Sequence, residues 1–313
     1  MSPGLRTVFV ALALLSALTF AASGAGWMRE TSGHLTVEFA SGDELAARRV
    51  LEIGAGASER LHRQMGVESP ADIRVVVAPD ETTFRELTGG AVPEWGVGVA
   101  YASRSLIVLR SPRIIDYPLA LGQIVVHELA HVATERGLRG VRAPRWFHEG
   151  VAMMSAGEWR LGNLDAMVAR VEGGGTIPLS ELDASFPYGS SDAAAAYVES
   201  FFAVNHLAET SGIGTAPGVV RAIAAAGSFD EGVARLTGQA RASFEESVLG
   251  EMNRSYRLPM FLRSGRLLFL VIAVLVIVAV IVRAATSRRR LEALSDSDGG
   301  PPRWRPGSDS SWE

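Results

Sequence analysis

The stretch "IVVHELAHVATERG", Ile124 to Gly137, decides how the rest of the chain is read. It places His127 and His131 four residues apart, with Glu128 directly after the first. Ile124, Val125, Val126, Leu129, Ala130 and Val132 are apolar, so a helix here is buried on most sides. Positions i and i+4 share one helix face, which lets both imidazoles turn toward one ion. Glu128 is rotated by about 100° from His127 on a helix of 3.6 residues per turn. From there it reaches a water beside the ion without ligating the ion. A water acidified by a metal needs a general base, and this carboxylate is placed to be one. The plainer alternative is a hydrogen-bonded pair of core histidines. Burying two imidazoles and a carboxylate in an apolar helix is costly without partners, which favours the metal.

A catalytic zinc takes three protein ligands and keeps one position open. The continuation H-E-x-x-H-x-x-G-x-x-H is absent, because Thr134 and Gly137 occupy the later glycine and histidine places. The next segment with ligand chemistry is "PRWFHEGVAMM", Pro144 to Met154, a second apolar helix opened by proline. Its one carboxylate, Glu149, lies 18 residues beyond His131, enough for a turn and an antiparallel return. His148 competes for the same role; as its neighbour on the helix, it is expected to face elsewhere and to pack or cap.

"HELAH" followed by "RWFHEGVA" resembles the gluzincin metallopeptidases, in particular their peptidase MA-like domains, relatives of the aminopeptidase-N-like and thermolysin-like zincins. The resemblance spans about His34 to Met252. "GVGVAYASRSLIVL" stands where zincins carry the strand that lines the cleft, and "AYVESFFAVNHLAE" and "GSFDEGVARLTG" look like the closing helices. It implies His127, His131 and Glu149 as ligands of Zn2+, with Glu128 as general base and proton shuttle. Tyr197 in "YVES" matches a tyrosine that steadies the oxyanion in aminopeptidase-like members; an aromatic simply packed on its helix is the even alternative. His206, nine residues further on, is read as a surface or core residue.

Two departures bear on activity. The glycine-x-methionine-glutamate-asparagine segment that grips a free amino terminus is missing before His127, which favours an endopeptidase over an aminopeptidase. Thermolysin-like enzymes set an aspartate four residues after the third ligand to orient a histidine; here that place is Met153. Orientation must come from elsewhere, such as backbone carbonyls.

Composition bounds the rest. At 313 residues the chain can bury a core in one or two domains. There is no cysteine, which excludes disulfides, thiolate metal sites and a cysteine nucleophile. There is no lysine, which excludes a Schiff base or a P-loop lysine. Residues 23–262 carry 29 acidic residues against 21 arginines, so no nucleic-acid partner is expected. "GAGASE", Gly54 to Glu59, resembles a phosphate loop only superficially, since it lies inside a helical pattern. Ser190 and Ser191 have no adjacent base and read as a turn.

Two apolar segments bracket the chain. Residues 1–25 follow the pattern of a signal peptide or signal anchor, with Arg6 before an apolar run that ends in small residues. "LLFLVIAVLVIVAVIV", Leu267 to Val282, carries no polar side-chain atom and reads with its flanks as a transmembrane helix over 267–285, the chain's contact with the lipid bilayer. Arg283, Arg288, Arg289 and Arg290 favour a cytoplasmic tail, 286–313, of disordered composition. The expected molecule is thus a single-pass membrane protein whose domain, 26–257, lies outside the cytoplasm. Absence of cysteine suits an envelope domain that folds without oxidation.

Within that domain, strands are expected at His34–Gly42 and in "ADIRVVVAPD", and a hairpin in "GVGVAYASRSLIVLRSP". Helices are expected over Asp43–Met65, in "ETTFRELTGG", and from Pro118 to about Arg136, with a mostly helical chain beyond Pro144. The fold class is α+β: a mixed N-terminal sheet, the motif helix and a helical C-terminal half. The functional expectation is a zinc peptidase acting on peptides or proteins. A zincin-shaped surface module for binding or scaffolding, without hydrolysis, is the rival.

Overall fold

Alternation in "HLTVEFASG" becomes β2 (Leu35–Ala40), whose inward residues Leu35, Val37 and Phe39 are buried. Before it runs β1 (Trp27–Ser32), and after it β3 (Ile73–Ala78), β4 (Gly98–Tyr101) and β5 (Leu106–Arg110). The computed structural model describes residues 26–68, 71–90, 92–93, 96–158, 176–183, 186–187, 190–263, 272–283 and 286. The five strands form one sheet in the order β1-β2-β3-β5-β4. β2, β3 and β5 run parallel, while β1 and β4 pair antiparallel at the two edges.

Parallel neighbours need crossovers, and two helices supply them. α1 (Glu44–Gln64) joins β2 to β3, and α2 (Glu81–Thr88) leaves β3 before the β4–β5 hairpin. At Gly54 on α1 an added Cβ would lie 2.5 Å from Leu35 Cδ2 and 3.5 Å from Val125 Cγ1. This glycine therefore marks where sheet, α1 and the motif helix meet, and "GAGASE" is helix throughout. Asp80 caps α2 by accepting from Thr83 N–H at 2.8 Å, and Gly89 closes the helix at φ 64°.

The motif helix, α3 (Leu121–Gly137), buries Ile124, Val125, Leu129, Val132 and Ala133. It starts three residues later than Pro118 suggests. Pro118 and Leu119 form a bend, and Ala120 after them is extended at ψ 139°, so the helix opens only behind the bend. Beyond Pro144 come α4 (Arg145–Ala156), α5 (Ser190–Thr210), α6 (Ala216–Ala226), α7 (Phe229–Thr237) and α8 (Arg241–Arg263). Backbone at Ser190 and Ser191 already belongs to α5, which corrects the expected turn. Thr215 and Ser228 cap α6 and α7 through Gly218 N–H and Glu231 N–H. Glu199, buried on α5, accepts from Ile177 N–H at 3.0 Å and ties down the short stretch 176–183.

Contacts divide the chain into Met1–Met252 and Asn253–Glu313. The buried residues Phe244, Val248 and Met252 of α8 belong to the first unit. In the second, 272–283 is helical with exposed apolar side chains from Ile272 to Val282. No helix among the described residues is long and apolar enough to cross a membrane. The expected spanning segment lies partly outside them, at 267–271 and 284–285, as do the N-terminal segment 1–25 and the tail from 287 onward.

Candidate metal centre

α3 and α4 pack against one another, and the polar side chains they share meet at one point. His127 and His131 present Nε2 atoms 3.5 and 3.4 Å from Glu149 Oε2. Ligand atoms of the three residues all lie within 4.8 Å of one another, and the two rings are 4.8 Å apart at 74°. Gly150 lets α4 come close enough to α5: a Cβ there would stand 2.2 Å from the Ser200 carbonyl oxygen. The glycine after the third candidate ligand is thus a packing requirement.

Around this trio, burial is nearly complete for Glu128 and Glu149. Burial opposes a charged Glu149, but His131 beside it and hydrogen bonds from both imidazoles hold its pKa well below the usual carboxylate value. Burial likewise opposes a charged His127, yet hydrogen bonds to Glu149 and Glu158 carry its pKa well above the usual imidazole value. Glu128 has its pKa raised by burial, partly offset by the charges of His127 and His131. His127 Nδ1 lies 2.8 Å from Glu158 Oε1, and Arg145 Nε donates to Glu149 Oε1 at 3.3 Å.

The sequence pattern of the Peptidase MA superfamily matches residues 55–248, more than half of the chain and all of the residues just described. The chain belongs to the Peptidase MA superfamily. Among solved structures it is similar to a crystal structure of an M1 zinc metallopeptidase, a glutamate-to-alanine mutant from Deinococcus radiodurans. Identity is 15% and the TM-score 0.36, with 74% of this chain and 51% of that chain covered. The chain thus spans about half the length of that structure, and the assignment stands on the family match alone. No curated protein matches.

The donor set of this gluzincin-like domain fits zinc. Zn–N bonds of about 2.0–2.1 Å in a tetrahedron place donors roughly 3.3–3.4 Å apart. The two distances to Glu149 Oε2, 3.5 and 3.4 Å, are close to that edge. Two imidazoles and one carboxylate are also a ligand set that zinc takes in hydrolytic sites.

The trio opens on a cavity of about 460 Å³, lined also by Gly98, Val99 and Ala100 of β4, by Phe186 and by Tyr197. The strand expected at the cleft is therefore there, and among the described residues β4 pairs with β5 alone. Tyr197, from α5, packs on Phe186 with ring centroids 5.1 Å apart. Its pKa is raised well above the usual phenol value by burial and by the charge of Glu149, so it stays an O–H donor. His206 stacks between Phe202 and Phe244, away from the cavity lining, as expected of a packing residue.

One residue was misjudged from sequence and another was missed. His148 lines the cavity instead of facing away, its pKa lowered to about 4 by burial and by the charge of His131. The spacing Arg145, His148, Glu149 is i, i+3, i+4 on one helix face, a signal that could have found it. The partner of His127, which the sequence left unnamed, is the carboxylate of Glu158.

Proposed function

We propose that this chain is a membrane-anchored, extracytoplasmic zinc peptidase in which His127, His131 and Glu149 hold the ion and Glu128 is the general base. The convergence of the three donor atoms beside a buried carboxylate carries the reading. Zinc, when bound, supplies Lewis acidity toward a carbonyl and acidifies water. Glu128 takes the proton of the attacking water and delivers it to the leaving amine. Tyr197 donates its O–H to the carbonyl oxygen as that oxygen gains charge. An extended peptide pairs with the edge of β4 that faces away from β5 and is unpaired among the described residues, which holds its backbone across the cavity.

Cleavage within chains, not at a free amino terminus, is favoured by the charges on the cavity wall. Among the described lining residues the carboxylates are Glu128, Glu149 and Asp183. Glu128 and Glu149 have the roles above, and Asp183 is taken by Arg241 Nη2 at 2.5 and 2.6 Å. Anchoring is supported by the apolar run Leu267–Val282 and the arginines after it.

Glu128→Gln in the full-length protein should keep about one zinc per chain and lose peptide hydrolysis by 10²-fold or more, a loss on the scale of general-base catalysis. Metal analysis and a peptide-library assay check both. A wild-type chain free of zinc defeats the reading, and zinc retained without hydrolysis of any peptide supports the binding module instead.

A further inference from the structure

The thermolysin-like place for a carboxylate that orients a zinc-binding histidine is Met153 in this chain. Five residues later the structure supplies a carboxylate by another route. α4 ends at Gly157, whose φ of 64° and ψ of 40° lie in the left-handed region that glycine adopts without strain. Gly157 N–H donates to Met154 O at 3.3 Å, and Glu158 N–H reaches back to Met153 O at 3.1 Å. Those two bonds form a Schellman motif, with Glu158 as the first residue past the left-handed glycine. A hydrophobic residue at that place usually packs against the last turn of the helix. Here the residue is an acid, and it is 8% exposed.

The same cap is docked on α3 by a second contact. Gln123, four residues before His127 and on the same helix face, donates from Nε2 to the Gly157 carbonyl oxygen at 3.0 Å. Gln123 and His127 therefore grip consecutive residues of the cap, one by its main chain and the other by its carboxylate. Glu158 Oε1 stands 2.8 Å from His127 Nδ1, within the range of a charge-assisted hydrogen bond.

We infer that Glu158 is the positioning residue for His127: its carboxylate accepts the Nδ1–H, which fixes the tautomer and turns Nε2 to the metal. The inference rests on the zinc reading above and adds to it where this chain places the support. The helix cap, set by Gly157 and held by Gln123, does what an acidic residue inside the helix does in thermolysin-like relatives. A carboxylate behind a histidine ligand restricts the ring and raises the basicity of its free nitrogen, so its removal weakens metal binding.

The test is zinc affinity of the full-length protein, by competition with a coloured chelator, for wild type, Glu158→Ala and Glu158→Gln. Glu158→Ala should bind zinc about 10- to 100-fold more weakly. Glu158→Gln should recover most of that loss, because its amide oxygen still accepts from Nδ1–H although the charge is gone. Circular dichroism with chelator present confirms that all three chains are folded before affinities are compared. Wild-type affinity in Glu158→Ala overturns the inference, and so does a Glu158→Gln chain as weak as Glu158→Ala. A wild-type chain that takes up no zinc instead defeats the parent reading, so the two failures are distinguishable.

Discussion

On β4, a Cβ at Gly98 would stand 3.1 Å from Glu128 Oε1 and 2.7 Å from Leu109 Cδ2. The strand can pass this close to the Glu128 carboxylate because it has no side chain at that point. Gly98→Val should therefore displace Glu128 while leaving His127, His131 and Glu149, the proposed metal ligands, in place. Misplacing a reacting group by about 1 Å costs on the order of 10² in rate, so kcat should fall by about that factor. Zinc content should stay at the wild-type level; kinetics on a cleaved peptide, with metal analysis of the same sample, checks both. Unchanged kcat would show that Glu128 has room to spare. At this scale His127, Glu128 and His131 were legible because a helix turns their spacing directly into geometry. Glu149 was legible as a carboxylate within reach, and from the family resemblance. Gly98 and Glu158 were not, since each matters through a partner 30 or 31 positions away in the chain.

Elements with a clear period were read nearly in place: α1, α2, β3 and the β4–β5 hairpin follow their apolar patterns and glycine ends. β1 was missed because its residues are mostly half-exposed or exposed, leaving no alternation to see, and its one described partner is β2. Strand order was also beyond the local pattern, as it is set by which helix covers which face. One contact between elements carries a pH dependence. His62 on α1 is buried, with Nδ1 2.8 Å from Ser58 O and Nε2 2.8 Å from Arg136 Nη1 on α3. Arg136 can only donate, so Nε2 accepts and the neutral ring carries its proton on Nδ1. Burial, then the charges of Arg136 and His34, lower the His62 pKa in the fold below its usual 6.5, against one raising contribution from the Ser58 backbone. The folded state therefore prefers neutral His62. Its contribution is fully present above about pH 6.5, the unfolded value, and is lost as pH falls through the lower folded value. Urea midpoints of wild type should drop between pH 7 and pH 5 by more than those of His62→Gln, which cannot titrate. Equal drops in the two proteins would remove His62 from the acid response. Arg136 also donates to Ser105 Oγ at 2.7 Å, so the same network steadies the hairpin that carries β4.

For the whole molecule, the packed unit ends at Met252 while the long apolar run begins at Leu267, so core and proposed anchor are separate in sequence. A helix over 267–285 would be about 28 Å long at 1.5 Å per residue, close to the roughly 30 Å of a hydrocarbon core. Its ends are marked by Arg266 on one side and by Arg283 and Arg288–Arg290 on the other, where long side chains can reach the headgroups. The larger positive cluster follows the run, which supports the proposed orientation, with the tail toward the cytoplasm and the peptidase domain away from it. Full-length protein should stay with the membrane pellet through alkaline carbonate washing, whereas a chain lacking 267–285 should be released. Protease added to intact cells should remove the domain but spare an epitope tag placed after Glu313. Zinc content of the released chain should match that of wild type, because His127, His131, Glu149 and Glu158 meet one another within the unit that ends at Met252. Release of the full-length protein by carbonate would refute the anchor while leaving the metal centre untouched, and digestion of the tag in intact cells would reverse the orientation.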